Sequence, residues 1–132
     1  HVNRVLWHCG RDFLLFSGIE LLCYPMLAIG GAGSISATAN VVPQKVAELH
    51  DAWFDGDVKR AQDLHFELME LNDVLFIETN PGPVKAALGM LGKITPKLRL
   101  PLDLPSEEHQ EQIRRTLVKY GLLTEAAQQP AK

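Results

Sequence analysis

The chain has 132 residues, 46% of them hydrophobic and 22% charged, which is the composition of a globular domain large enough to bury a core. Thirteen Lys and Arg against sixteen Asp and Glu give a formal net charge of −3, so no basic surface indicates a nucleic-acid partner. The longest apolar stretch, residues 19–33, is interrupted by Glu20 and Pro25 and is too short to span a bilayer. We therefore expect a cytoplasmic protein without nucleic-acid or membrane partners, in which Cys9 and Cys23 are reduced structural residues in apolar surroundings.

The chain opens within a helical pattern. Four apolar residues have the spacing of a buried helical face, namely Val2, Val5, Leu6 and Cys9. No capping residue precedes them, and Gly10 is suited to end the helix. Because the first residue is His1 rather than Met and the pattern is already under way, we expect a processed or truncated part of a longer protein.

The next segment alternates strand and helix signals. Residues 13–16 are a continuous apolar run, typical of a strand that is buried on both faces. Residues 20–29 predict a helix that is apolar nearly all round, with Pro25 in its first turn or at a kink. Residues 34–38 predict a second short strand, and the order helix, strand, helix, strand demands a parallel sheet with helices outside it.

The remainder of the chain is helical. One helix is predicted from Pro43 by residues at i, i+4, i+7 and i+11, which are Val42, Val46, Leu49 and Trp53. After a break at residues 55–57, the same spacing predicts a single helix through Ala61, Leu64, Leu68, Leu71 and Leu75.

Turn and capping signals organise the C-terminal part. Residues 80–83 (Asn-Pro-Gly-Pro) predict a turn, followed by a short helix that Gly92 ends. Residues 94–105 contain three prolines and predict an extended loop. Ser106 is placed to cap a last helix, with an apolar face of Ile113, Leu117 and Tyr120.

Two strands cannot form a stable sheet alone, so the sequence indicates the last two βα units of a larger α/β fold, followed by helices. We expect residues 1–56 to supply those units, residues 57–122 to form a helical domain, and residues 123–132 to be a disordered tail.

Three groups of residues have the composition of a cofactor or metal site, but none has the spacing that such a site requires. Residues 30–34 (Gly-Gly-Ala-Gly-Ser) could cradle a phosphate, but they end a helix and enter a strand, so a tight turn is favoured. The five histidines lack zinc-ligand spacing, and residues 55–57 lack the glutamate of a calcium-binding loop. We therefore predict no cofactor and no metal.

The carboxyl ends of the two predicted strands carry the candidate site. Active sites of parallel α/β folds lie at these ends. The candidates for the site wall are Ser17, Gly18, Ile35, Thr38 and Asn40. An equally open interpretation is that Ser17-Gly18 merely ends the strand.

Four segments carry a family resemblance. They are Phe-Leu-Leu-Phe-Ser-Gly at residues 13–18, Pro-Met-Leu-Ala-Ile-Gly-Gly-Ala-Gly-Ser-Ile-Ser-Ala-Thr-Ala-Asn-Val at 25–41, Asn-Pro-Gly-Pro-Val-Lys at 80–85 and Leu-Arg-Leu-Pro-Leu at 98–102. In this order and spacing they resemble the dihydrodipicolinate synthase and N-acetylneuraminate lyase superfamily, and are closer to its synthase branch.

The resemblance implies the C-terminal part of a TIM (β/α)8 barrel, with strands seven and eight and their helices, followed by a C-terminal helical domain. It also implies a lyase in which a lysine forms a Schiff base with pyruvate, and the resulting enamine attacks an aldehyde, namely aspartate semialdehyde in lysine and diaminopimelate biosynthesis. The family's Lys-Glu motif is absent here, so this chain alone should be inactive. Family members are homotetramers, which predicts a homo-oligomer.

Carried over residue by residue, Gly18 and Ile35 match positions that line the family's pocket through their backbone, and Asn40 lies beside it. No catalytic residue is carried over. The synthase pattern has an acid at the position of Ile19, which leaves the aldehyde substrate open. The alternatives are another pyruvate aldolase or sugar-acid dehydratase of the same superfamily, or a non-catalytic helical interaction module.

Overall fold

The computed structural model describes residues 1–124 and divides them into two compact units, one formed by His1–Asn72 and one that begins at Asp73. The helices on either side of residue 56 pack against each other within the first unit, and the assignment of residues 57–122 to a helical domain of the longer protein stays a prediction. The elements in chain order are α1 (Val2–Cys9), β1 (Phe16–Ser17), α2 (Cys23–Ala28), β2 (Gly33–Ser34), α3 (Pro43–Phe54), α4 (Val58–Glu67), α5 (Met69–Leu75), α6 (Gly82–Met90) and α7 (Glu107–Lys119).

Strands β1 and β2 form a parallel pair, as the sequence predicts. Phe16 lies opposite Gly33 and Ser17 opposite Ser34. Both strands are shorter than predicted, because the ladder contains two residues on each side and the backbone then turns into a 3-10 helix at Thr38–Asn40. A further bond, from Ile35 N to Ser17 O at 2.8 Å, continues the pairing at the carboxyl end.

The apolar run 13–16 is not buried on both faces within the described residues. Leu14 is 70% exposed, and Phe13 and Phe16 are about half exposed. Burial of a strand on both faces requires layers packed against both faces of its sheet, and among residues 1–124 the sheet that contains β1 has two strands, β1 and β2. The parallel direction is confirmed, and burial of this run on both faces stays a prediction for the longer protein.

The connection from β1 to β2 begins with a 3-10 turn at Glu20–Leu22 and continues as α2. Pro25 is the third residue of α2, which confirms its predicted place in the first turn, where no backbone N–H is needed. Gly31 then donates its N–H to Met26 O at 2.7 Å. A Cβ at Gly31 would lie 2.7 Å from that same oxygen, so the glycine is required for a tight turn.

Helices α3 and α4 pack together in the first unit. Pro43 is the first residue of α3, and Asp57 Oδ1 caps α4 by accepting from Arg60 N at 3.0 Å. Leu64 is completely buried. The predicted single helix through Leu75 is two helices, α4 and α5, because the chain makes a turn at Leu68.

In the second unit, Pro83 lies at the start of α6, and residues 94–106 contain neither helix nor strand, as predicted. Ser106 Oγ accepts from His109 N at 3.3 Å and so caps α7, whose Ile113 and Leu117 are completely buried. The predicted disordered tail falls almost wholly outside the described residues.

The two cysteines differ from each other. Both are free, but Cys9 is exposed while Cys23 is buried. The expectation of apolar surroundings was wrong for Cys9. The predicted face of α1 has four residues, and in the described structure only Leu6 among them is buried.

Candidate functional site

The carboxyl ends of β1 and β2 lie side by side. Ser17 is buried, and its Oγ donates to Ile19 O at 2.8 Å and accepts from Ile19 N at 3.2 Å. These bonds hold the turn that follows β1. The bond from Ile35 N to Ser17 O at 2.8 Å joins that turn to the end of β2, so the structure brings Ser17, Gly18 and Ile35 together.

Three exposed residues form what we call the strand-end surface, namely Gly18, Ile19 and Ile35. Ile35 is 78% exposed. A Cβ at Gly18 would meet no atom within 4 Å, so the space above this backbone is open. The strand-end surface therefore presents main-chain groups and two aliphatic side chains.

Thr38 and Asn40 are placed differently from the other candidates. The Thr38 side chain is fully buried, and its Oγ1 donates to Asn72 Oδ1 at 2.8 Å. Asn40 is exposed, and its Nδ2 donates to Ala37 O at 3.0 Å. Both side chains thus hold the backbone of the segment after β2, and neither is hydrogen-bonded to Gly18 or Ile35 in the described structure.

Glu20 is the residue near the strand ends that the candidate list omits. It is only 6% exposed, and its Oε1 accepts from Ser36 Oγ at 3.0 Å, from Thr38 N at 3.1 Å and from Ala37 N. Among the described residues its Oε2 is buried without a hydrogen-bond partner. The sequence carried one signal for this role, an acid shortly after a strand end in an otherwise apolar segment. Such an acid is expected to be buried, and a buried carboxylate needs hydrogen-bond partners.

A second polar contact tethers β2 to α3. His50 Nδ1 lies 2.8 Å from Val46 O, and since a carbonyl only accepts, Nδ1 carries the proton and donates. His50 Nε2 lies 3.1 Å from Ser34 Oγ and 3.4 Å from Cys23 Sγ. The hydrogen bond with Cys23 raises the pKa of His50, and the Val46 carbonyl acts in the same direction against the opposing effect of burial.

His65 has the opposite electrostatic environment. It is buried, and its ring stacks on Tyr24 with the ring centroids 5.5 Å apart. Burial lowers the pKa of His65, which favours the neutral imidazole. This histidine is therefore part of an aromatic cluster with Tyr24 and Trp53.

The interior of the first unit offers no room for a substrate at this network. Glu20, His50 and His65 line a cavity of about 20 Å³, whereas pockets that bind small molecules have roughly 300–1,000 Å³. Among residues 1–124, no three His, Cys, Asp or Glu side chains are grouped to hold a metal ion. Nor is any helix in that part of the chain both long and apolar enough to cross a membrane.

The strand-end surface is built from a segment without basic side chains. From Asp12 to Asn40 the sequence contains neither lysine nor arginine, so this segment supplies no side-chain amine that could form a Schiff base. It can supply shape, apolar contact and main-chain hydrogen bonds.

Comparison with known proteins gives a consistent result. The family model described as the dihydrodipicolinate synthetase family matches residues 1–120. A 4-hydroxy-tetrahydrodipicolinate synthase of Methanopyrus kandleri is 48% identical over 124 residues, which cover 94% of this chain and 41% of that protein. The enzyme of the same name from Thermus thermophilus is 41% identical over 123 residues, covering 93% of this chain and 41% of that protein.

Solved structures agree with these sequence matches. The dihydrodipicolinate synthase of Aquifex aeolicus superposes with a TM-score of 0.88 at 43% identity, over 92% of this chain and 41% of that one. The Thermotoga maritima enzyme also gives 0.88, at 38% identity, over 92% of this chain and 42% of that one. The chain thus spans about two fifths of the length of the relatives it matches. It belongs to the dihydrodipicolinate synthetase family.

Proposed function

We propose that this chain is the C-terminal portion of a pyruvate-dependent, Schiff-base-forming lyase that condenses pyruvate with aspartate semialdehyde. In this proposal β1 and β2 are strands seven and eight of a TIM barrel, and residues 57–122 belong to a C-terminal helical domain. The observation that carries the proposal is the parallel pair β1 and β2, with Gly18 and Ile35 exposed together at its carboxyl end, because barrel enzymes place their active sites there.

The role of this chain in the proposed reaction is to form one wall of the pyruvate site. A lysine amine elsewhere in the barrel condenses with the ketone of pyruvate and releases water. The imine then accepts electrons when the methyl group loses a proton, and the enamine attacks the aldehyde. The backbone at Gly18 and Ile35 supports the bound pyruvate without supplying a reacting group. Ser17, Thr38 and Asn40 hold the turns that place that backbone.

A graft tests whether the chain can complete such an enzyme. Residues 1–124 replace the matched segment of the Methanopyrus kandleri enzyme, and condensation of pyruvate with aspartate semialdehyde is measured. We expect this grafted synthase to be active, because the chain is 48% identical to the segment it replaces. A grafted synthase that is folded by circular dichroism but inactive would contradict the proposal.

A matched pair of variants locates the site within the graft. Ile35→Asp places a negative charge on the strand-end surface, where it repels the pyruvate carboxylate, so the KM for pyruvate should rise at least tenfold. Ile94→Asp makes the same change at another exposed isoleucine, in the loop after α6, and should leave the KM within about twofold. Equal effects of the two variants would remove Ile35 from the site.

The chain by itself should not form the covalent intermediate. When it is incubated with pyruvate and borohydride, mass spectrometry should find no adduct, because the strand ends lack lysine. A pyruvyl adduct on Lys45, Lys59, Lys85 or another lysine of this chain would show that the nucleophile is assigned to the wrong part of the protein.

A second candidate substrate class is supported by Ile19. This residue is about half exposed at the strand-end surface, where an acid would favour a polar aldehyde. An aldehyde with an apolar tail is therefore the alternative acceptor. The grafted synthase and its Ile19→Asp variant, compared on aspartate semialdehyde and on a panel of other aldehydes, distinguish these acceptors.

A further inference from the structure

One carboxylate oxygen accepts hydrogen bonds from residues 36–38, which follow β2. Glu20 Oε1 accepts from three consecutive residues, through the side chain of Ser36 and the backbone N–H groups of Ala37 and Thr38. Consecutive N–H groups that point to one oxygen are a geometry that backbone uses to hold an anion. We call the contact between Glu20 and residues 36–38 the Glu20 clamp.

The Glu20 clamp acts directly beside Ile35. On one side Ile35 N donates to Ser17 O at 2.8 Å, and on the other side the next three residues are held by Glu20. The main chain of Ile35 is therefore fixed from both directions, although its own side chain is 78% exposed and receives little support from packing.

We propose that Glu20 is a positioning residue for the pyruvate site. It acts through residues 36–38, keeps the main chain of Ile35 in place at the strand-end surface, and touches neither the substrate nor the reacting atoms. This proposal rests on the proposed function. It assigns a role to a residue whose side chain is buried and lines the interior cavity.

The side-chain chemistry explains why a carboxylate suits this position. A carboxylate oxygen accepts without donating, and bonds from N–H groups to an ionised acceptor are about twice as strong as neutral ones. Glu20→Gln retains an oxygen of the same reach but removes the charge and introduces a donor. Glu20→Asp retains the charge with a shorter reach, and Ser36→Ala removes one of the three donors.

Two measurements on the grafted synthase test the proposal, namely steady-state kinetics with pyruvate and hydrogen exchange of the peptide that contains Ala37 and Thr38. In Glu20→Gln we expect the KM for pyruvate to rise about tenfold, the effect of one weakened charged hydrogen bond, with kcat changed less than about threefold. The peptide should exchange faster. Glu20→Asp should recover part of the KM, and Ser36→Ala should show a smaller rise of about threefold.

The control is Glu108→Gln, which makes the same chemical change at an exposed glutamate in α7 and should leave both measurements unchanged. An unchanged KM in Glu20→Gln, or a loss confined to kcat, would overturn the positioning role. If Glu20→Gln does not fold, an unchanged KM in Ser36→Ala overturns it instead. An inactive grafted synthase would refute the proposed function, while its hydrogen exchange would still show whether Glu20 holds residues 36–38.

Discussion

Thr38 provides a sharp separation between a structural and a substrate-binding role. Its side chain is fully buried, and its hydroxyl donates to Asn72 Oδ1 at 2.8 Å. Asn72 is itself buried. In Thr38→Val the shape of the residue is kept, but the amide oxygen of Asn72 loses its donor in a place that water does not reach.

The magnitude follows from that burial. A buried acceptor left without a partner costs about 1–3 kcal/mol, so Thr38→Val should lower the free energy of unfolding by about 2 kcal/mol. Thr38→Ser keeps the hydroxyl and removes one methyl group, which costs about 1 kcal/mol. The valine variant should therefore be the less stable of the two, although it removes no volume.

The assay is equilibrium unfolding of the grafted synthase in urea, with Thr38→Val, Asn72→Ala and the double variant forming a cycle. We expect the double variant to be less destabilised than the sum of the single ones, since either change alone breaks the same bond. Additive effects, or a Thr38→Val variant within about 0.5 kcal/mol of the parent, would refute this reasoning. A large rise in the KM for pyruvate at unchanged stability would instead place the Thr38 hydroxyl in the substrate site.

Three further outcomes are expected. Gly31→Ala should lower the thermal midpoint of the grafted synthase, because the new Cβ would lie 2.7 Å from Met26 O. The control Gly18→Ala places a Cβ that meets no atom within 4 Å, so it should leave the midpoint unchanged. Equal shifts in the two variants would contradict the steric argument. The isolated chain should associate, because the apolar run leading into β1 is exposed beside an open strand edge, and sedimentation as a single monomeric species would argue against this. The hydrogen bond from His109 lowers the pKa of Glu78. The stabilisation that ionised Glu78 provides is therefore present above the ordinary glutamate pKa of about 4.3 and is lost as the pH falls through the lowered value. Glu78→Gln should flatten the acid dependence of unfolding, monitored by circular dichroism, and an unchanged profile would disprove this.

The helices could be predicted from the sequence because their signals are local. The spacing of Leu49 and its partners defines α3, and Ser106 ends up capping α7 as its position indicates. The division of α4 from α5 at Leu68 was missed, since no glycine or proline marks it and the apolar spacing continues through the turn.

The strands and the site were only partly predictable, because they depend on contacts between distant segments. The direction of β1 and β2 followed from the order of elements, and the proximity of Ser17, Gly18 and Ile35 followed from that direction. The exposure of Leu14 could not be derived from its own apolar run, because burial depends on what lies against the strand. The Glu20 clamp joins residues that are separated by 16 to 18 positions in the sequence, and no local pattern specifies such a bond.

The fixed tautomer of His50 decides how β2 responds to acid. With the Nδ1 proton committed to Val46 O, the neutral ring offers a single lone pair at Nε2, for which Ser34 and Cys23 compete as donors. When Nε2 gains a proton, the direction of the bond reverses: the ring becomes the donor, and the Ser34 oxygen and the Cys23 sulfur are its acceptors. The hydroxyl proton of Ser34 is then released to rotate toward another acceptor. The hydrogen bond between His50 of α3 and Ser34 of β2 thus persists in both charge states, with donor and acceptor exchanged. Acidification therefore reorients the hydroxyl proton of Ser34 without detaching β2 from α3.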